Sequence, residues 1–321
     1  MIEVEHLSKV YGSTPAIQDV TFSVKPGEIM GFLGPNGAGK TTTMRILAGY
    51  LPASGGTARV AGYDVHEQSL EVRRWIGYLP EVPPLYPEMT VEGFLHFVAR
   101  IKGVPRKNRR LRVNHSLERC QIADKRKLLI RKLSKGYRQR VGIAQAIVHD
   151  PPVIILDEPT VGLDPRQIIE VRNLIKSLAG DRTIILSTHI LPEVSMTCSR
   201  VTIINGGRVV AADSPENLMA QLAGGSEYEL ELDKDVTAVK QLLEVVPGVG
   251  RVLSVPAENV GANRYLIQVI SESGAEPGRD IAAALVQAGV GIYEMRRNRV
   301  NLERVFLELT TVEDADLGVA V

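Results

Sequence analysis

Cysteine is scarce in this 321-residue chain, and long hydrophobic runs are missing from it. The two cysteines, Cys120 and Cys198, lie far apart with no histidine cluster beside either. That argues against a disulfide framework and a cysteine-based zinc site, and it suits a reducing cytoplasm. No uninterrupted apolar stretch approaches the roughly 18 residues that suggest a membrane span, although 44% of the residues are hydrophobic. The opening Met1-Ile2-Glu3-Val4-Glu5 carries acids where a secretory signal has a basic patch and then an apolar run, so no export signal is expected. Internal repeats and low-complexity tracts are also missing. The apolar content that remains suffices for two buried cores, and the length divided by roughly 150 residues per domain predicts about two domains.

The formal net charge of +1 hides a segregation. Between Arg100 and Arg140 stand 16 lysines and arginines against two acids, Glu118 and Asp124, whereas the remainder holds 22 basic and 35 acidic residues. Such a basic island suits phosphates, anionic headgroups or nucleic acid. It also suits the solvated face of amphipathic helices, because Leu111, Val113, Leu117, Leu128 and Leu129 interrupt it.

Up to about residue 222, short apolar runs alternate with helical periods, the mark of an α/β fold with a largely parallel sheet. Ile2 to Val10 and Ile17 to Val24 read as strands. Three further runs end in polar clusters: Ile29 to Leu33 before a glycine loop, Val153 to Leu156 before Asp157-Glu158, and Thr183 to Leu186 before Ser187-Thr188-His189. Ligands of open α/β sheets bind outside the carboxyl ends of the strands, so these clusters are expected to meet in one crevice. Residues 90 to 135 lack strand alternation and read as a helical insertion that contains most of the basic island. Asp164-Pro165 predicts a capped helix start, with Gly180 at its end. After Gly224-Gly225-Ser226 the order becomes β-α-β-β-α-β: Glu227 to Leu232, Val236 to Val245, Gly250 to Val255, Arg264 to Ile270, Arg279 to Ala288 and Val290 to Met295. That is the order of a ferredoxin-like domain. A last helix is predicted from Asn301 to Leu309.

Gly34-Pro35-Asn36-Gly37-Ala38-Gly39-Lys40-Thr41 fits GxxxxGK(S/T) between an apolar strand and a helical pattern, the context that marks a P-loop. Its glycines let backbone N–H groups turn toward phosphate oxygens, and the following helix presents its positive end to the same anion. Lys40 is expected to reach the β- and γ-phosphates, Thr42 to lie in the same cradle, and Thr41 to ligate Mg2+. Asp157 and Glu158 leave a buried strand together. By themselves they are equally a helix cap or a surface pair; beside a P-loop, Asp157 suits Mg2+ and Glu158 suits the polarisation of the attacking water.

With these motifs in order, residues 1 to about 220 resemble the ATPase subunits of ATP-binding-cassette (ABC) transporters. Leu133-Ser134-Lys135-Gly136-Tyr137 stands at the family's signature position, Gly162-Leu163-Asp164-Pro165 at the D-loop and His189 at the switch histidine. The resemblance implies a P-loop NTPase of the ABC type spanning 1–223, with a helical subdomain at about 90–140. A small α+β ferredoxin-like accessory domain is expected at 227–310, and a tail at 311–321. It further implies ATP and Mg2+ as ligands, with two subunits closing head to tail so that Ser134 and Gly136 of one face the γ-phosphate held by the other. Asp164 is expected to communicate between the two sites. Tyr11 matches the family's adenine platform, although a strand-end aromatic is more often core. Glu81 occupies the Q-loop position, where glutamine is usual; its carboxylate can approach Mg2+ or the water, or it is an exposed loop acid. Lys135 and Tyr137 also depart from the usual signature, leaving the contact to Ser134 and Gly136.

The expected function is therefore a cytoplasmic ATPase subunit, peripheral on the inner face of the cell membrane. It would power a separately encoded permease, an exporter of the antibiotic-resistance or gliding-motility kind, through the loop from Glu81 to Met89. The basic island would then face anionic lipid, and no nucleic-acid partner is expected. A soluble ABC-type ATPase acting on nucleic acid or ribosomes is the alternative, and another P-loop enzyme such as a small-molecule kinase is a second.

Overall fold

The computed structural model describes residues 1–180, 182–222, 226–254, 264–272 and 274–298, together with 306 and 310. The chain divides into two compact units between Pro215 and Glu216.

In the first unit, β1 (Ile2–Tyr11) and β2 (Thr14–Val24) form a hairpin closed at Gly12, whose φ of +59° suits glycine. Next comes β3 (Ile29–Leu33), buried at all five positions as a central parallel strand must be. Helix α1 (Lys40–Leu47) follows. The chain then returns to the hairpin with β4 (Gly55–Val60) and β5 (Tyr63–Asp64), completing an antiparallel sheet in the order β2-β1-β4-β5. Helix α2 (Ser69–Trp75) leads into β6 (Ile76–Leu79).

The insertion is helical as expected. It comprises α3 (Val91–Ile101), α4 (Arg106–Arg119), 3-10 turns at Ala123–Lys125 and Ile130–Lys132, and the start of α5 (Lys135–Ile147). The rest of the unit alternates β7 (Val153–Asp157), α6 (Pro165–Leu178), β8 (Thr183–Thr188) and α7 (Leu191–Thr197), then adds the hairpin β9 (Arg200–Asn205) and β10 (Arg208–Asp213). The six-stranded sheet runs β10-β9-β3-β8-β7-β6, parallel throughout except at β10. Because β3, β8 and β7 are neighbours, the three polar clusters leave one edge side by side.

Residues 55–79 carry strands that the apolar pattern does not announce. Only Ala58 and Val60 are buried in β4, and β6 is four residues long with a glycine inside it. That glycine is a packing requirement: a Cβ on Gly77 would stand 2.1 Å from the Ala146 carbonyl oxygen of α5.

The basic island is partly neutralised where it folds. Arg126 meets Glu92 at 2.5 Å, Arg112 meets Asp150 at 2.5 Å, and the buried Arg140 meets Glu170 at 2.6 Å. Val113, Ser116 and Leu117 form the buried side of α4, while Arg106, Lys107 and Arg110 are exposed.

Two bases are partly buried behind β6. Lys102 Nζ donates to the Arg73 and Ile76 carbonyls at 2.7 and 3.2 Å, and burial pushes its pKa down to about 8. His149 Nε2 lies 3.0 Å from the same Ile76 carbonyl; burial, with Lys102 nearby, pushes its pKa from 6.5 down to about 4. The unfolded chain therefore binds more protons than the folded one between those two values, and stability falls as pH drops through that window. Between pH 7 and pH 5 the expected loss is about 2 kcal/mol. Urea titrations at both pH values check this, and His149→Gln, which keeps a donor for Ile76, should flatten the slope.

The second unit starts within α8 (Pro215–Leu222) and continues as β11 (Glu227–Leu232), α9 (Val236–Glu244), β12 (Val249–Ser254), β13 (Tyr265–Ser271), α10 (Gly278–Gln287) and β14 (Ile292–Asn298). This is the β-α-β-β-α-β order, closed as an antiparallel sheet β12-β13-β11-β14. Tyr228, Leu230 and Leu232 alternate into its core, where Val239 and Leu243 of α9 and Ile281 and Leu285 of α10 cover them. The helix read over Asn301 to Leu309, save for Phe306, and the tail 311–321 lie outside the described residues.

Candidate functional site

The glycine loop turns from β3 into α1 so tightly that two of its glycines leave no room for a Cβ. A Cβ on Gly34 would stand 2.4 Å from the Ile204 carbonyl oxygen. One on Gly39, at φ +102°, would stand 2.5 Å from Ile17 Cγ2. Gly39 is also the N-cap of α1 and offers no side-chain acceptor, so the first-turn N–H groups remain available to an anion. Lys40 is buried with its ammonium folded back over the loop, donating to the Gly34 and Pro35 carbonyls at 2.8 and 3.1 Å.

Asp157 ends β7, opposite Ser187 of β8. Its Oδ1 accepts from Ser187 Oγ at 2.5 Å and Thr41 Oγ1 at 3.3 Å, whereas its buried Oδ2 has no partner. Burial pushes its carboxyl above the ordinary value; the two hydroxyls oppose that rise, and the charges of Glu158 and Glu81 add to it. A buried, unpartnered carboxylate oxygen beside a threonine hydroxyl fits a divalent cation. Among the described residues there is no group of three or more histidine, cysteine and acidic side chains able to hold a metal ion alone.

Glu158 sits at φ +48°, a region a non-glycine residue enters only under constraint. The constraint is visible: its backbone N–H donates to both the carbonyl and the hydroxyl oxygen of Ser187, each at 3.1 Å. The carboxylate is thereby aimed back across the sheet edge, with Oε1 3.4 Å from Lys40 Nζ and Oε2 2.9 Å from His189 Nδ1. Glu81 follows β6, which runs parallel to β7 with Leu79 beside Leu156, so it emerges at the same edge. A cavity of about 570 Å³ joins these groups; Asn36, Gly37, Gly39, Lys40, Thr41, Thr42, Glu81, Glu158 and His189 line it.

Not every predicted residue converges here. Tyr11, at the end of β1, is about half exposed and lies under the Lys9 ammonium rather than on the cavity wall; Ala16 lines the cavity instead. Ser134 caps α5, accepting from Tyr137 N–H at 3.4 Å. With Gly136 it borders a separate hollow of about 240 Å³ that also holds Arg140 and Gln167. Asp164 caps α6 through Gln167 N–H at 3.0 Å. Ala16, Ser187, Thr160 and Glu193 belong to the site's surroundings without having drawn a role from the sequence. Ser187 stood inside a recognised triplet; for Glu193 no pattern signals a buried carboxylate.

A glycine cradle on a helix N-terminus, a buried lysine, and an acid pair at the end of β7 define a P-loop nucleoside triphosphatase. The ABC transporter family model matches residues 17–161. The chain is 30% identical to the linearmycin resistance ATP-binding protein LnrL of Bacillus subtilis (strain 168), over 97% of this chain and 98% of that one. It is 38% identical to the bacitracin transport ATP-binding protein BcrA of Bacillus licheniformis, over 76% of this chain and 80% of that one. A solved ATP-binding subunit of an ABC transporter superposes at a TM-score of 0.63 with 32% identity, covering 70% of this chain and 93% of the other. The chain belongs to the ABC transporter ATP-binding protein family, and it is an ATPase whose hydrolysis is coupled to transport. Among the described residues no helix is long and apolar enough to cross a membrane.

Proposed function

We propose that two copies of this chain close head to tail on two ATP molecules and drive a separately encoded export permease. One observation carries the reading: the capped start of α5, with Ser134 and Gly136, opens into a hollow of its own and contributes nothing to the P-loop cavity of its own chain. A serine hydroxyl and free helix N–H groups form an anion site, and the γ-phosphate of a second copy is the matching anion. Lys40 would leave the Gly34 and Pro35 carbonyls for the β- and γ-phosphates. Thr41 and Asp157 would hold Mg2+, which when bound neutralises charge building on the phosphate oxygens. Glu158 takes the proton of the attacking water, and His189 holds Glu158 and donates to the γ-phosphate. Glu81 stands where it can bond the Mg2+ shell, and Asp164 where it can meet the partner.

Relatives named for antibiotic resistance and transport support export as the direction. Peripheral attachment at the membrane follows from the permease, and the exposed Arg106, Lys107 and Arg110 would add about 1 kcal/mol each near anionic headgroups. The test of the dimer uses Glu158→Gln protein, which should elute as a dimer with ATP on size-exclusion chromatography. Adding Ser134→Glu to that protein should leave a monomer that still binds ATP. A dimer that survives the Ser134 change would place the γ-phosphate contact elsewhere.

A further inference from the structure

The loop that carries His189 is anchored from below by a carboxylate outside the catalytic machinery. Glu193, in the first turn of α7, is 2% exposed and forms no salt bridge among the described residues. Its Oε2 accepts from Thr188 Oγ1 at 2.9 Å, and the same hydroxyl accepts from Ile190 N–H at 3.0 Å. One hydroxyl thus ties down the residues on both sides of His189. The other oxygen, Oε1, is buried without a partner. So is the hydroxyl of Thr160, two residues after Glu158; burial raises the Glu193 carboxyl above its ordinary value, and Thr160 stands close enough to oppose that rise. A donor and an acceptor, each buried and unsatisfied, are both costly until they pair.

We propose that Glu193 is a positioning residue that joins the His189 loop to the Glu158–Asp164 turn, with Thr160 Oγ donating to Glu193 Oε1 when the site closes on nucleotide. This rests on the assignment of Glu158 and His189 above. Both loops then approach the γ-phosphate as one piece, because a single buried carboxylate fixes Thr188 on one side and Thr160 on the other. The negative charge suits this double role, since a carboxylate accepts two hydroxyl protons at once, whereas an amide offers one acceptor oxygen and two unwanted donors.

Steady-state ATPase assays on the full chain test this. Glu193→Gln should lower kcat at least tenfold with KM for ATP within threefold, since the nucleotide cradle is untouched. Thr160→Val should lower kcat in the same way, Thr160→Ser should restore it, and the Glu193→Gln/Thr160→Val double variant should be no slower than Glu193→Gln. Unchanged kcat in Glu193→Gln, additive losses in the double variant, or failure of Thr160→Ser to restore turnover would each overturn the proposal. If Glu193→Gln does not fold, the Thr160 pair decides the matter alone. A Glu158→Gln control separates two failures. Slow Glu158→Gln with normal Glu193→Gln removes only the anchor; normal turnover in Glu158→Gln removes the base assignment beneath it.

Discussion

Lys40→Ala should lower ATP turnover at least about a hundredfold, the loss typical of removing one preorganised donor from a charge-developing site. The ammonium occupies the loop's own carbonyls at Gly34 and Pro35, so it is already desolvated and pointed into the cradle before nucleotide arrives. Exchanging two neutral acceptors for phosphate oxygens strengthens its bonds without further desolvation cost. The same substitution strips Glu158 of its buried cation, leaving His189 as its remaining partner. An uncompensated buried charge is costly, so thermal stability of the nucleotide-free protein should fall as well. Coupled ATPase assays and a melting curve read both effects, and turnover near the parent value would remove Lys40 from the phosphate site.

Glu158→Gln should slow hydrolysis by about a hundredfold to ten-thousandfold, the range a general base supplies, while ATP still binds. The amide fills the same space and can keep its bond to His189, so the constrained backbone at φ +48° need not change. What disappears is the negative charge able to accept a proton. Removing that charge beside the γ-phosphate also lessens repulsion toward ATP, and bound nucleotide should hold the closed dimer long enough to isolate it. Single-turnover assays with radiolabelled ATP separate retained binding from lost chemistry. Hydrolysis at the parent rate would move the base to another group, with Glu81 on the same cavity the first candidate.

Much of this was legible in the sequence because short-range chemistry dictated it. Gly34, Gly37 and Gly39 before Lys40-Thr41 have few uses other than a phosphate cradle. Four apolar residues before Asp157-Glu158 mark a buried strand that delivers acids to its end, and Asp164-Pro165 announces a helix start. The second unit was readable for a related reason: period-2 alternation in Glu227–Leu232 fixes which face is buried, and the helical stripes of α9 and α10 fix what covers it. Strand β4 escaped because it carries little apolar pattern, and β6 because it is four residues long with a glycine inside it; they exist because β1 and β7 supply neighbours for their backbone hydrogen bonds.

The sequence by itself determined which residues can hold a triphosphate and in what order the chain presents them. Only the tertiary structure decided that Asp157 Oδ2 and Glu193 Oε1 are buried without partners, that Ser187 clamps Glu158 into a left-handed turn, and that Ser134 borders a different hollow from Lys40. The division has a physical cause. A local motif states what a few consecutive residues can bond, whereas burial and pairing depend on which distant strands and helices the packed sheet brings against them.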